Sequence, residues 1–174
     1  MGVKIVSISF GVFLLLFIAG VIQIAAYGPL LPDRVASHYG PDGRPDRWSP
    51  KDVFIATYVV VLVLAFAFFV GLGFFVQRVP PYFIHIPRRE YWMTRERQQA
   101  TRNTVIRHVF WFASATMAFY LVTMNLAMQV SMGLSEGIRL SFTYALAGYG
   151  IATILWGIGF NRRFRLPEEE GRDS

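Results

Sequence analysis

VFIATYVVVLVLAFAFFVGLGFFVQ, Val53 to Gln77, contains no Lys, Arg, Asp or Glu and lies between Asp52 and Arg78. A bilayer hydrocarbon core of about 30 Å takes roughly 20 helical residues to cross. The run is rich in β-branched and aromatic residues, which in water would favour a strand, but its length and lack of charge predict a membrane helix. Working outward, the same absence of charge holds from Ile5 to Pro32, from His108 to Ser135 and from Leu140 to Asn161. Four spans are therefore expected, at 5–27, 53–77, 105–130 and 140–161.

The expected fold is all-α: a polytopic four-transmembrane-helix bundle forming a single membrane domain over 1–174. Between the first two spans lies LPDRVASHYGPDGRPDRWSPK, Leu31 to Lys51. Charge this dense is excluded from hydrocarbon, so the chain leaves the membrane over 28–52 and returns. Five prolines and Gly40 and Gly43 predict a shaped loop with tight turns. Ser49 before Pro50 reads as a helix cap with proline in the first turn.

The chain carries a formal charge of +6, which in a soluble protein would raise nucleic acid as a partner. In a membrane protein basic residues first report orientation. Lys4 precedes the first span, six Arg occupy the segment from Arg78 to Arg102, and Arg162, Arg163 and Arg165 follow the fourth. The 28–52 loop is balanced, and the short 131–139 loop holds only Glu136 and Arg139. The positive-inside rule makes both termini and the 78–104 loop cytoplasmic and the 28–52 and 131–139 loops extracytoplasmic. The location expected is the bacterial cytoplasmic membrane, with lipid and no nucleic acid as partner. The apolar segment of the first span is longer than a signal-peptide core, so an uncleaved span is expected.

The cytoplasmic segment interleaves Tyr82, Phe83, Ile84 and Ile86 with Arg88, Arg89, Tyr91 and Trp92 after a helix-breaking Pro80-Pro81. That mixture suits the headgroup zone, with rings at the boundary and guanidinium groups toward phosphate. Thr94 is positioned to cap a helix running into the third span. Within the spans, Gln23 reads as meeting water or a neighbour near an interface, and Asn125 as an interhelical hydrogen-bonding group. Gly71 and Gly73, and in the fourth span Gly148, Gly150, Gly157 and Gly159, read as close-packing positions. Of the cytoplasmic tail at 162–174, Arg162, Arg163 and Arg165 read as anchors at the inner face, and the polar stretch LPEEEGRDS, Leu166 to Ser174, is expected to be disordered.

Chemistry has few places to sit. His38, Asp42 and Asp46 recur at four-residue intervals, but intervening Pro and Gly prevent a shared helix face. A loop that gathered them would make a weak divalent-metal candidate; the favoured reading is a solvated loop with local ion pairs, no metal and no cofactor. His85 and His108 read as lying at the inner interface. No carboxylate falls within a span, which argues against an ion or proton path. No nucleophile, phosphate-loop or zinc-hydrolase motif occurs, so the chain is not expected to be an enzyme.

The outer loop resembles that of the bacterial membrane family with the domain of unknown function 1648 loop, the family that includes SdpI-type immunity proteins. The matching positions are Leu31, Pro32, His38, Gly43, Pro45, Asp46, Trp48 and Lys51. A second similar segment comprises Ile86, Pro87, Tyr91, Trp92, Glu96 and Arg97. It departs from common relatives at His85, Arg88, Arg89, Thr94 and Arg95. The resemblance implies an immunity or signalling role: an outer loop that senses an extracellular peptide and an inner basic loop that meets a cytosolic or membrane protein or lipid. An accessory or assembly subunit of a larger membrane complex is the alternative, and a transporter or metal-dependent membrane enzyme a weaker one. Homo-oligomerisation is compatible with each.

Overall fold

The computed structural model describes residues 8–165. Lys4, the expected start of the first span at residue 5 and the 166–174 part of the tail lie outside them. Four helices are long and apolar enough to cross a bilayer: α1, Ile8–Tyr27; α2, Lys51–Arg78; α4, Gln98–Ser131; and α5, Arg139–Arg163. A one-turn α3, Arg89–Trp92, precedes α4. The all-α expectation needs one correction, since β1, Arg34–Tyr39, and β2, Pro45–Pro50, pair antiparallel between α1 and α2. These four crossings make the chain a multi-pass membrane protein.

Helix α4 is the central element. α1, α2 and α5 all pack on it, and α2 and α5 flank it without extensive packing on each other. At the centre, Phe13 is fully buried. Its ring stacks on Phe66 at 5.3 Å and meets Phe69 and Phe110 at 5.9 and 5.8 Å. Large rings at such spacings fill the three-helix seam and add directional ring contacts to close packing. Gly20 lets α1 approach: a Cβ there would lie 2.9 Å from the Leu62 and Leu121 side chains.

Polar groups tie the same seam nearer the hairpin. The Tyr58 hydroxyl meets Gly20 O at 3.0 Å and Gln23 Oε1 at 2.8 Å. Gln23 Nε2 donates to Leu121 O at 3.3 Å, and Tyr120 OH donates to Tyr58 O at 2.8 Å. Gln23 thus links three helices, because an amide in an apolar seam must find partners within the protein. Asn125 differs from expectation. Its Oδ1 accepts from Gln129 Nε2 at 2.6 Å one turn along the same helix, so its bond is local rather than interhelical.

α5 runs antiparallel to α4: Trp156 Nε1 donates to His108 O at 2.7 Å, Tyr149 OH and Thr116 Oγ1 lie 3.1 Å apart, and Phe119 meets Tyr149 and Phe142. No described residue of α5 is fully buried. A Cβ at Gly148, Gly150, Gly157 or Gly159 would meet nothing within 4 Å. These four glycines therefore make no close helix contact within this bundle, and Gly159 borders a gap between α1, α4 and α5. Gly71 is likewise open, whereas a Cβ on Gly73 would approach the Phe110 ring at 3.2 Å.

Two expected caps move. Ser49 pairs with Val35 in the sheet, so its backbone is extended and Pro50 takes the cap position before Lys51. Thr94 opens a turn, not the helix: its carbonyl accepts from Arg97 N and Gln98 N, and α4 starts at Gln98.

Candidate functional site

The matched residues of the outer segment assemble into the hairpin. Gly43 N donates to Gly40 O and Gly40 N to Arg44 O, both at 2.9 Å. Gly43 has φ +78°, a left-handed conformation that glycine adopts without steric cost. Asp42 Oδ1 accepts from Arg44 N at 3.1 Å, closing the turn from the side. Both strands are edges, which is why Pro45 and Pro50 are tolerated in β2. The register breaks twice, with Ser37 extra in β1 and Asp46 extra in β2. Such bulges re-aim side chains, and here His38 Nδ1 and Asp46 Oδ1 meet at 2.6 Å on the exposed side.

Three further attachments make the hairpin a fixed cap over the helices. Ala36 N donates to Ser131 Oγ at 3.0 Å, and that hydroxyl donates to Ala127 O at 2.7 Å. Ile138 N donates to Gly43 O at 2.9 Å. Lys51 Nζ reaches Pro29 O at 3.0 Å and Leu31 O at 2.8 Å, taking up carbonyls of the turn that leaves α1. Beneath the cap, Val35 and Ala36 are buried with Leu31. Pro32 is exposed, and Trp48 is 42% exposed.

A cavity of about 750 Å³ lies under this cap, in the gap between α2 and α5 with α4 as its back wall. Val53, Val61, Met124 and Phe142 give it apolar sides, and His38 and Tyr39 are part of the roof. The wall hydroxyls of Thr123 and Thr143 donate to carbonyls of their own helices, as Tyr120 does to Tyr58 O. The roof differs: the Tyr39 hydroxyl is buried without a hydrogen-bond partner among the described residues. Burial pushes Tyr39 up to about 12, so the group remains a protonated donor. Arg139 is the one Lys, Arg, Asp or Glu among the lining residues. A second cavity, of about 540 Å³, lies between α1, α4 and α5 beside Trp111 and Trp156.

Asp42 does not join the His38–Asp46 pair, its carboxylate being turned to Arg44 N. Among the described residues, no three His, Asp or Glu side chains come together as a metal site.

The second matched segment folds under the far end of the bundle. Ile84 and Ile86 are buried with Val76, Val79, Val105 and Phe164. Trp92 Nε1 donates to Phe164 O at 3.1 Å, and Thr101 Oγ1 donates to Trp92 O at 2.8 Å. The Arg97 guanidinium lies 3.8 Å from the Tyr91 ring centroid, within cation–π range. Pro87 and Glu96 are exposed. Arg88, which precedes α3, adopts φ 52°.

Sequence reasoning missed Arg102, one of six similar arginines in its segment. It is 7% exposed and donates to the carbonyls of Val76 and Val79 at the end of α2. It also missed Tyr39, Ser131 and Arg139. Nothing in their local pattern separates them from neighbouring polar residues.

Residues 14–64 match the family model described as Domain of unknown function (DUF1648). The matched stretch covers most of α1, the whole hairpin and the first half of α2, and so contains the cavity roof and one wall. The α4 and α5 walls lie beyond it. No curated protein and no solved structure matches the chain.

Proposed function

We propose that the protein is a non-enzymatic receptor of the bacterial cytoplasmic membrane, with the hairpin outside the cell and the segment around Trp92 inside. The exposed hairpin residues His38, Asp46 and Trp48 contact an extracellular peptide, and the arginine-rich inner segment engages a cytosolic protein or lipid. One observation carries this reading: α4 is continuous between the two. Its 34 residues extend about 50 Å at 1.5 Å per residue. Near one end Thr101 and Arg102 hold the inner segment and the end of α2; at the other Ser131 holds β1. A displacement of the hairpin is thereby coupled to a single rigid element. The resemblance to SdpI-type proteins supports peptide immunity or signalling as the role.

The test is deletion of the gene followed by challenge with secreted peptides of competing cells, with transcription of adjacent genes measured in parallel. Sensitisation, or altered transcription, that is restored by the wild-type gene and not by His38→Ala/Trp48→Ala supports the reading. An unchanged response in both assays rejects it. Cysteine substitutions at Ser37 and Glu96, labelled in intact cells with an impermeant reagent, test orientation: Ser37→Cys labels and Glu96→Cys does not.

A second reading, a subunit of a larger membrane complex, is favoured by α5. It buries no described residue fully and exposes Leu140, Tyr144, Ile151, Ile154 and Leu155. Purification in mild detergent separates the two, because a subunit migrates with partners in fixed stoichiometry.

A further inference from the structure

The cavity under the hairpin has two chemically distinct ends. Its helical walls present Val53, Val61, Met124 and Phe142, and the hydroxyls of Tyr58, Thr123 and Thr143 are turned to carbonyls. The walls therefore offer little to a polar ligand. At the roof end Arg139 lines the cavity, and among the described residues no hydrogen bond or ion pair engages its guanidinium. Apolar walls gain dispersion contacts from an apolar body, and a free guanidinium gains charge-assisted bonds from an acceptor. One occupant with an apolar body and an acceptor-bearing head supplies both.

The position of the gap selects the source of that occupant. No extensive packing joins α2 and α5, so the cavity has no helix on that side and opens where a bilayer lies against the two helices. Thr57 and Val61 of α2 and Thr143 of α5 line the cavity and are exposed. An alkyl chain enters sideways without leaving hydrocarbon, whereas a soluble polar molecule meets apolar walls. The volume, about 750 Å³, is within the roughly 300–1,000 Å³ of small-molecule sites.

We propose that this cavity holds one anionic membrane lipid from the hairpin-side leaflet, one acyl chain between α2 and α5 and its phosphate at Arg139. Arg139 supplies the charge, since guanidinium donors pair with phosphate oxygens in charge-assisted bonds. Neighbouring acids do not cancel it. Asp46 faces His38 at 2.6 Å, Asp42 accepts from Arg44 N, and Glu136 lies 3.9 Å from Arg44. Because the hairpin is bonded to both α4 and the start of α5, the bound lipid braces the cap from below. The inference is independent of which side of the membrane the hairpin occupies and of the peptide reading.

The full chain, delipidated in mild detergent, is titrated with phosphatidylglycerol and separately with phosphatidylcholine, and bound lipid is counted by native mass spectrometry. One phosphatidylglycerol per chain is expected, held about ten-fold more tightly than phosphatidylcholine, the effect of one charge-assisted contact. Arg139→Gln abolishes that preference and Arg139→Lys retains part of it. Thr57→Trp, an exposed position whose enlarged side chain fills the gap, weakens both lipids. Equal affinity of the wild type for the two lipids, an unchanged preference in Arg139→Gln, or unchanged binding in Thr57→Trp overturns the proposal. So does an absence of bound lipid in a wild type whose thermal unfolding remains cooperative.

Discussion

The guanidinium of Arg102 donates to the carbonyl of Val79 at 2.7 Å and also to that of Val76. It thereby places a cation on the buried, otherwise unpaired carbonyls at the end of α2, where the helix dipole is negative. Pro80 and Pro81 follow, so the chain cannot continue helically and those carbonyls have no backbone partner ahead of them. Arg102→Met retains most of the apolar stem and removes the donors. The expected loss is about 2–3 kcal/mol, the cost of leaving buried acceptors without their charged partner, read by thermal or denaturant unfolding in detergent. Arg95→Met, at an exposed position of the same segment, should change stability by less than about 0.5 kcal/mol.

Gly43 is the point at which the hairpin turn meets the start of α5. A Cβ there would lie 2.5 Å from Arg139 Cβ and 2.7 Å from Arg139 N, in a backbone that already has φ +78°. Gly43→Ala should detach the turn from α5, because both obstacles are backbone or backbone-near. The expected readout is faster hydrogen exchange at Ile138 N and protease cleavage between Gly40 and Arg44, with α1, α2 and α4 still protected.

Glycine substitutions should separate the packed seam from the free face. Gly20→Val pushes into Leu62 and Leu121 and should cost about 1–3 kcal/mol. Gly150→Ala meets nothing within 4 Å and should be neutral or stabilising by a few tenths of a kcal/mol, alanine being the better helix former. A large loss for Gly150→Ala in unfolding measurements would show instead that the face is covered in the folded protein.

Tyr39→Phe removes the unpartnered roof hydroxyl. In delipidated protein at neutral pH its stability should equal or exceed that of the wild type by up to about 1 kcal/mol, since a desolvated group without a partner is lost. The pH dependence follows from the upward shift of Tyr39 to about 12. The folded state prefers the neutral phenol, so its contribution is complete below about pH 10 and is lost as pH rises toward 12. Relative to Tyr39→Phe, the wild type should therefore lose stability over pH 10–12 and not below it.

The four spans and the exit of the chain at Leu31 to Lys51 were legible because they follow from solvation. Long uncharged runs and a dense cluster of charge each permit one placement relative to a bilayer, whatever the neighbours are. The tight turn was legible for a similarly local reason, since Gly40, Pro41 and Gly43 restrict the backbone by themselves. The strands around it were not. Arg34–Tyr39 is too short to declare itself and Pro45–Pro50 is short and proline-rich, and their pairing depends on docking of Val35 and Ala36 onto the helices.

The candidate site was legible only in outline. His38, Asp46 and Lys51 stood out by type and spacing, and the structure gives each a partner. Arg102 is one of six arginines in its segment and Arg139 stands alone in a short loop, and what gives them their roles is a helix end in one case and a cavity mouth in the other. Sequence alone determined how many times the chain crosses and where it turns, because those choices depend on the transfer of local segments between water and hydrocarbon. The tertiary structure decided that α4 is shared by three helices, that the glycines of α5 make no close helix contact, and that α2 and α5 leave a cavity between them. These depend on which surfaces meet, and residues distant in sequence settle that through packing.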